Sequence, residues 1–527
     1  MTRSLVYTWL YTLLLSAEVL SAKVSLPYGT FVGFDNYTND ADTTLPNPVI
    51  AYLNIPYAAP PTGQRRFKHP QAPLKSQDIV NSTEYGSACP QPGISKIDED
   101  CLTLAVYAPK GTKRADKLPV VIWFHGGAFN AGSKNQISLA SMVSGAPVKY
   151  IAVGVNYRLE GGIAKFGLHD QVYAIEWVQK YIELFGGNSG QVTLFGQSAG
   201  GTTIGYHMFN MKAPPKFNRA IMDSGGPTTR AIPDWTYPLY QTQMSEFLDF
   251  TGCSRGGDEI ATFSCLRELP QSTITNASLS IFTKYNAMGI YPFQVVVDRK
   301  YIAQAAHLSW ESGQFHKMPI LTGFNTDEAN ALAPRSLNTT DDFLGFLKRL
   351  LPSLSPSHLV RIEELYPSPE LPGSPYANSP LSPQFLRIAA AYGDLSYIAQ
   401  VQTTAIYASK FRAPVWKYHF DHLTPGAESW IGVNHTSELP FVSKLWANKF
   451  MGEAADQSRL MNAYWSSFIV SGDPNVHTPK AAPFWPRYLI NNQTELRLTN
   501  GSAYPEQDNF RKNALDFWRS IPEVLMH

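Results

Sequence analysis

The sequence predicts an α/β fold with a mostly parallel central sheet, helices on its faces and cap-like insertions. Two observations predict it. Between residues 118 and 224 short apolar runs alternate with helical ones, and two more apolar runs follow far downstream across long polar interruptions. Leu118–Phe124, Tyr150–Tyr157, Gln191–Gly196 and Arg219–Asp223 read as buried strands, being short, rich in Val, Ile and aromatics, and bounded by Gly, Pro or Asn. Asp170–Phe185 places Val172, Ile175, Trp177, Val178, Tyr181, Ile182 and Phe185 near a 3.6-residue period and ends at Gly186-Gly187, so it reads as a helix. Strand, helix, strand in that order implies parallel pairing. Pro319–Phe324 and Pro414–Phe420 read as further core strands. The stretches 225–315 and 330–410, rich in Pro, Ser and aromatics, read as cap-like insertions, and amphipathic helices are expected near Gln457–Val470 and Phe510–Ile521.

Bulk properties narrow the function. Lys+Arg 43 against Asp+Glu 42 leaves a net charge of +1, and no stretch concentrates basic residues, so a nucleic-acid partner is not expected. Met-Thr-Arg followed by the apolar run Leu5–Leu15 and the small residues Ser16, Ala17, Ser21 and Ala22 reads as a leader over 1–22, cleaved after Ser21 or Ala22. The run is shorter than the ~20 apolar residues a membrane span needs, Glu18 interrupts it, and no second span is found. Residues 23–527 then form one domain of an exported chain. Of the three connectivities open to Cys89, Cys101, Cys253 and Cys265, closing two short loops is the simplest, giving Cys89–Cys101 and Cys253–Cys265. Glycosylation sequons stand at Asn36, Asn81, Asn276, Asn338, Asn492 and Asn500; a seventh, at Asn434, is expected to stay unmodified.

The chemistry resides in two glycine-rich segments. Gly196-Gln197-Ser198-Ala199-Gly200 follows an expected strand and opens an expected helix. A reversal that sharp leaves no room for side chains at the flanking positions and pushes the serine hydroxyl out above the sheet as a nucleophile. His125-Gly126-Gly127-Ala128 lies at the end of the strand Leu118–Phe124, where the amides of Gly127 and Ala128, with that of Ala199, can receive the oxyanion formed when a serine attacks an acyl carbon.

With these segments in order, the chain resembles the type-B carboxylesterase/lipase family, which includes the cholinesterases and fungal extracellular lipases, and among its members the fungal secreted carboxylesterases. The resemblance runs over nearly the whole expected mature chain. It also rests on Asn54-Ile-Pro-Tyr-Ala-Ala-Pro-Pro, Arg66-Phe67, Glu99-Asp100-Cys101-Leu102, Asn156-Tyr157-Arg158, Gly167-Leu168-His169-Asp170-Gln171, Asp223-Ser224-Gly225, Gly323-Phe-Asn-Thr-Asp-Glu328 and His435-Thr-Ser-Glu-Leu-Pro-Phe. It implies an α/β-hydrolase fold and a secreted serine ester hydrolase working on small-molecule esters without cofactor or metal. It further implies Ser198 as nucleophile, His435 as base, Glu328 as acid, and Ser224 as a hydroxyl near the acid. From the residues alone Asp327 could replace Glu328, and His419 or His422 could replace His435.

Three features depart from the family. Gln197 stands beside the nucleophile where a glutamate is usual, removing a negative charge. The Cys89–Cys101 loop holds eleven mostly polar residues, too few for a lipase lid or a cholinesterase choline-binding face. The segment 159–166 is short: a contracted loop, or a gene model missing a piece. Competing readings are a lipase or sterol esterase, told apart by chain-length preference, and a non-catalytic binding or adhesion relative, disfavoured because Ser198, His435 and both oxyanion glycines are present. A metallohydrolase lacks support, as no H-E-x-x-H or comparable spacing occurs.

Overall fold

The central strands Leu118–Phe124 and Ile151–Val155 are apolar at every position, and their burial shows why. In the computed structural model, Val120, Ile122 and Phe124 pack into a core on one face of the sheet with Val153, Val192 and Leu194, while Val121 and Trp123 pack into the other with Ala152, Phe195, Ile221 and Leu321. A strand covered on both faces needs apolar side chains in both directions, hence the unbroken runs. The structure describes all residues except 1–20, 41–42, 160–165, 230, 287–289, 445–448 and 450.

Among the described residues thirteen strands form one sheet: β1 (Ser21–Leu26), β2 (Gly29–Asp40), β3 (Thr43–Pro56), β4 (Ile79–Asn81), β5 (Thr103–Pro109), β6 (Leu118–Phe124), β7 (Ile151–Val155), β8 (Gly187–Gln197), β9 (Arg219–Asp223), β10 (Ile320–Asn325), β11 (Val415–Phe420), β12 (Thr494–Thr499) and β13 (Ser502–Gln507). Their order is β1-β2-β3-β5-β7-β6-β8-β9-β10-β11-β12-β13, with β4 beside β2. The block from β7 to β12 is parallel throughout. Antiparallel strands β1, β2, β3 and β5 extend one end and the β12–β13 hairpin closes the other. This is the α/β-hydrolase fold. Because β6 lies between β7 and β8, the chain reverses its direction of travel there, and the carboxyl ends of β6 and β8 open the crevice at the switch point.

The helix expected over Asp170–Phe185 starts earlier, running Phe166–Tyr181 and tightening into a 3-10 turn Ile182–Phe185, which Gly186 ends in the left-handed conformation at φ 88°. The helix expected near Gln457–Val470 runs Glu453–Ser471, and that near Phe510–Ile521 runs Lys512–Arg519. Of the stretch 330–410, the last part is no cap: Ala399–Lys410 is the crossover helix from β10 to β11, with Ala405 and Ala408 packed into the sheet's core beside Ile320 and Val415. Helices Pro238–Thr251, Glu259–Glu268 and Gln271–Asn286 build a separate cluster around Phe247, Leu266 and Ile281.

Both disulfides pair as the spacing suggested, Cys89–Cys101 and Cys253–Cys265. Most of the expected leader lies outside the described residues; Ser21 and Ala22, flanking the expected cleavage points, begin β1 opposite Phe34 and Gly33. Residues 160–165 of the short segment also lie outside them. No helix among the described residues is long and apolar enough to cross a membrane.

Candidate active site

Ser198 sits at the carboxyl end of β8 and caps the helix Ala199–Phe209 with φ 55° and ψ −122°. That backbone is costly for a residue with a Cβ and is held by its surroundings. A Cβ on Gly196 would stand 2.5 Å from the carbonyl carbon of Gly200, and one on Gly200 would stand 2.0 Å from the Phe124 oxygen. The glycines are therefore compulsory, and the Ser198 amide is tied to the Asp223 carbonyl at 2.9 Å.

Beside it, the loop after β6 runs through three consecutive positive φ angles, at Gly127, Ala128 and Phe129. The amides of Asn130 and Ala131 both turn back to the Gly127 carbonyl. The amides of Gly127, Ala128 and Ala199 donate to no described residue, as donors reserved for a substrate oxygen would. The loop is braced from the Cys89–Cys101 segment. Gln91 Oε1 accepts the Gly132 amide at 2.7 Å, while its Nε2 donates to the Gly132 and Cys89 carbonyls at 2.8 and 3.0 Å. His125 is buried, which lowers it from 6.5 to about 4 and keeps it neutral, and it stacks on Tyr157 at 4.2 Å.

The turn after β10 and the loop after β11 supply the other side chains. His435 Nδ1 lies 2.6 Å from Glu328 Oε2, and Glu328 Oε1 accepts the Asn325 amide at 2.8 Å. Asp327 is otherwise engaged: its Oδ2 accepts the Val433 amide at 2.9 Å, so Glu328 is the carboxylate delivered to the imidazole. The base loop is strained at Thr436, a β-branched residue with φ 79°, and Asn325 Nδ2 holds it by the Asn434 carbonyl at 2.8 Å. His419 bonds Thr326 and Glu506, and His422 packs on Phe441; neither has a hydrogen bond to residue 197 or 198.

The second ring nitrogen of His435 meets Gln197 Nε2 at 3.0 Å. Ser198 Oγ is not among its hydrogen-bond partners here, so serine and imidazole are brought together through the residue that precedes the serine. Ser224, expected near the acid, is fully buried with φ 46° and its hydroxyl makes no hydrogen bond; its amide donates to the Gly323 carbonyl.

Several neighbours were not anticipated. Tyr397 lies with its ring centroid 4.3 Å from that of His435, on a π-helical turn, Asp394–Ile398, whose extra residue no periodicity reveals. Glu438 is fully buried and receives Asn325 Nδ2; burial first, then the nearby Glu328, raises it from 4.5 to about 8. Burial and Glu438 push Asp223 up as well. Both acids lie inside motifs quoted above, so their presence was legible but not their placement.

Behind Phe129 a cavity of about 710 Å³ opens between Leu168, Phe247, Phe293 and Val295. Donors suited to a metal converge once among the described residues, at His419, Glu495 and Glu506. The chain supplies the positive charge there itself: Lys417 pairs with Glu495 and lies 3.0 Å from Asp508, and Arg497 lies 3.3 Å from Glu506.

Comparison with known proteins agrees with the fold and these motifs. The model of the carboxylesterase family matches residues 20–518. Secreted lipase 4 of Gibberella zeae is 34% identical over 93% of this chain and 92% of its own, and Lipase 1 of Geotrichum candidum 30% identical over 90% and 93%. The crystal structure of Aspergillus niger EstA superposes with a TM-score of 0.83 at 25% identity, covering 96% of this chain and 99% of that one. The chain belongs to the carboxylesterase family and is a hydrolase of carboxylic esters.

Proposed function

We propose that the chain, over residues 23–527, is a secreted serine carboxylesterase that works through an acyl-enzyme. The observation that carries the reading is the Glu328–His435 hydrogen bond, held with the free face of the imidazole against Gln197 and next to a serine in a strained turn. Ser198 Oγ attacks the ester carbonyl carbon while its proton passes to His435 Nε2, and the carbonyl π electrons move onto oxygen. The amides of Gly127, Ala128 and Ala199 stabilise that oxyanion. Collapse of the tetrahedral intermediate expels the alcohol, which takes the proton from His435. Water, activated by the same imidazole, then releases the acid and restores the serine. Glu328 holds the tautomer with the proton on Nδ1 and balances the imidazolium charge.

Export is supported by the two disulfides, by relatives named as secreted lipases, and by the exposure of all six asparagines proposed to carry glycans, Asn36, Asn81, Asn276, Asn338, Asn492 and Asn500. A lipase is the second reading, favoured by the apolar wall of Leu168, Phe247, Phe293 and Val295 in the cavity behind Phe129 and by the relatives named lipases. Against it stands the pinned Cys89–Cys101 loop, in which Glu99 pairs with Arg66, Gln91 with Gly132, and Ala88 with Lys96 and Asp98. A loop so tied cannot serve as a lid.

A panel of p-nitrophenyl esters from acetyl to palmitoyl, run on the wild type and Ser198→Ala, tests the proposal. The variant is expected to lose at least ~10³–10⁴-fold in kcat and all labelling by a fluorophosphonate. Retained hydrolysis in Ser198→Ala would refute the serine mechanism. A rate jump on emulsified triglyceride above its solubility limit would favour the lipase reading.

A further inference from the structure

We infer that Gln197 is a positioning residue of the hydrolytic reaction: its amide donates a hydrogen bond to His435 while the base is neutral and, turned end for end, accepts one after the base takes the serine proton. This rests on the roles proposed above for Ser198, His435 and Glu328.

The hydrogen-bond chemistry leaves one assignment. A carboxylate only accepts, so the 2.6 Å contact with Glu328 places the His435 proton on Nδ1. Nε2 of the neutral ring is then an acceptor, and the group 3.0 Å away must be the donating amide nitrogen of Gln197. The arrangement orients the base but occupies the lone pair that has to receive the serine proton. When Ser198 gives up that proton, Nε2–H would face the amide N–H, donor against donor.

The same side chain holds the remedy. Gln197 Oε1 is buried and makes no hydrogen bond. Rotation about the last side-chain torsion exchanges this oxygen for the nitrogen and presents an acceptor to Nε2–H without displacing the chain. Larger movements are closed off: Gln197 is fully buried, paired with Asp223 in the β8–β9 register, and packed so tightly on Gly126 that a methyl group there would stand 2.6 Å from Oε1. The oxygen left unpaired in the resting state is thus the acceptor available where the imidazolium needs a partner.

Charge around the base gives the amide a second effect. Among the described residues, the titratable side chains against His435 are Glu328, hydrogen-bonded to Nδ1, and Tyr397 of the π turn, its ring centroid 4.3 Å away; behind Glu328, Glu438, Asp223 and Tyr418 lie close enough to feel its charge. Negative charge among them favours the imidazolium, whereas donation from Gln197 to Nε2 favours the neutral, proton-accepting form. A carboxylate at 197 could only accept and would favour the imidazolium throughout.

The test compares Gln197→Glu and Gln197→Met with the wild type, using kcat and KM for p-nitrophenyl butyrate and the acidic inflection of kcat/KM against pH. Fluorophosphonate titration counts competent sites, and a melting curve checks folding. Gln197→Glu, nearly isosteric, is expected to move the acidic inflection up by about one pH unit, at the lower end of what an adjacent opposite charge produces. Gln197→Met, with no partner for the imidazolium, is expected to lose about tenfold or more in kcat with KM little changed. Ser198→Ala and His435→Ala separate the two levels. If either retains wild-type hydrolysis, the underlying reading fails. If both are inactive while Gln197→Glu and Gln197→Met keep the wild-type kcat and inflection, the positioning role alone is overturned.

Discussion

Gln91 tests whether the short disulfide loop is a working part of the site. It is 2% exposed and satisfies both polar groups of Gly132, whose φ of 111° and lack of a Cβ close the turn that carries Gly127 and Ala128, the proposed oxyanion donors. A Cβ on Gly132 would stand 2.2 Å from His125 Nδ1, so this turn cannot settle elsewhere by a small shift. Gln91→Ala strands a buried N–H and C=O at a cost of ~1–3 kcal/mol each, about 2–6 kcal/mol together. Any relaxation that recovers part of this moves Gly127 and Ala128. Full loss of one oxyanion donor costs ~3–4 kcal/mol of transition-state stabilisation, so a partial misalignment should lower kcat by ~10- to 100-fold with little change in KM. Steady-state hydrolysis with active-site titration, beside urea unfolding, measures both effects. A variant that loses stability while keeping the wild-type kcat would refute the coupling between this loop and the oxyanion amides.

The remaining predictions concern buried charge. Glu438 is raised from 4.5 to about 8, so between pH 5 and 8 the folded chain holds a proton that the unfolded chain has released. Stability from this group is full below its unfolded value and falls as pH rises, by up to ~1.4 kcal/mol per pH unit. Glu438→Gln should therefore flatten the decline of the unfolding midpoint over that range; an unchanged slope would show that Glu438 is ionised in the fold. Arg66 binds Glu99 through two nitrogens at 2.5 and 2.8 Å and caps the helix Glu259–Glu268 by the carbonyls of Leu266, Arg267 and Leu269. Arg66→Met should cost about 3 kcal/mol in urea unfolding by leaving Glu99 unpaired, and Arg66→Lys should restore only part because an ammonium cannot span both sides; wild-type stability in Arg66→Met would refute the clamp.

How much of this was legible depends on what constrains each residue. Leu118–Phe124 and Arg219–Asp223 were bounded correctly because both faces are covered, so that Leu118–Phe124 is apolar throughout and Ala220, Ile221 and Met222 are apolar between the polar ends Arg219 and Asp223. The sharp turn at Ser198 was legible because its backbone excludes side chains at Gly196 and Gly200, which leaves a written trace of glycine. The rims were not: register shifts between Phe34, Tyr37 and Asn39 break the alternation of β2, and β3 admits Pro46 and Pro48. The choice between Asp327 and Glu328 could not be made from two adjacent acids, since the Val433 amide that engages Asp327 comes from the far loop. Gln91 lay in plain view inside a loop noted for lacking a lid, but its partner Gly132 becomes a neighbour only through the fold.

The interior beneath the base shows how the charge of the site is set. Glu328, Glu438 and Asp223 lie close enough to influence one another, and no Lys or Arg among the described residues pairs with them; their partners are His435, Asn325 and Trp465. A buried cation could have compensated them, but it would also have opposed the imidazolium that the reaction must form. Burial and mutual repulsion push both Glu438 and Asp223 up, which lessens negative charge there without adding positive charge. The base then faces one carboxylate directly and an amide on its other side. Raising the pH past about 8 releases the Glu438 proton and returns negative charge to the interior beneath the base. The imidazole therefore meets a single carboxylate, Glu328, while the two acids behind it are bonded to Asn325 and Trp465.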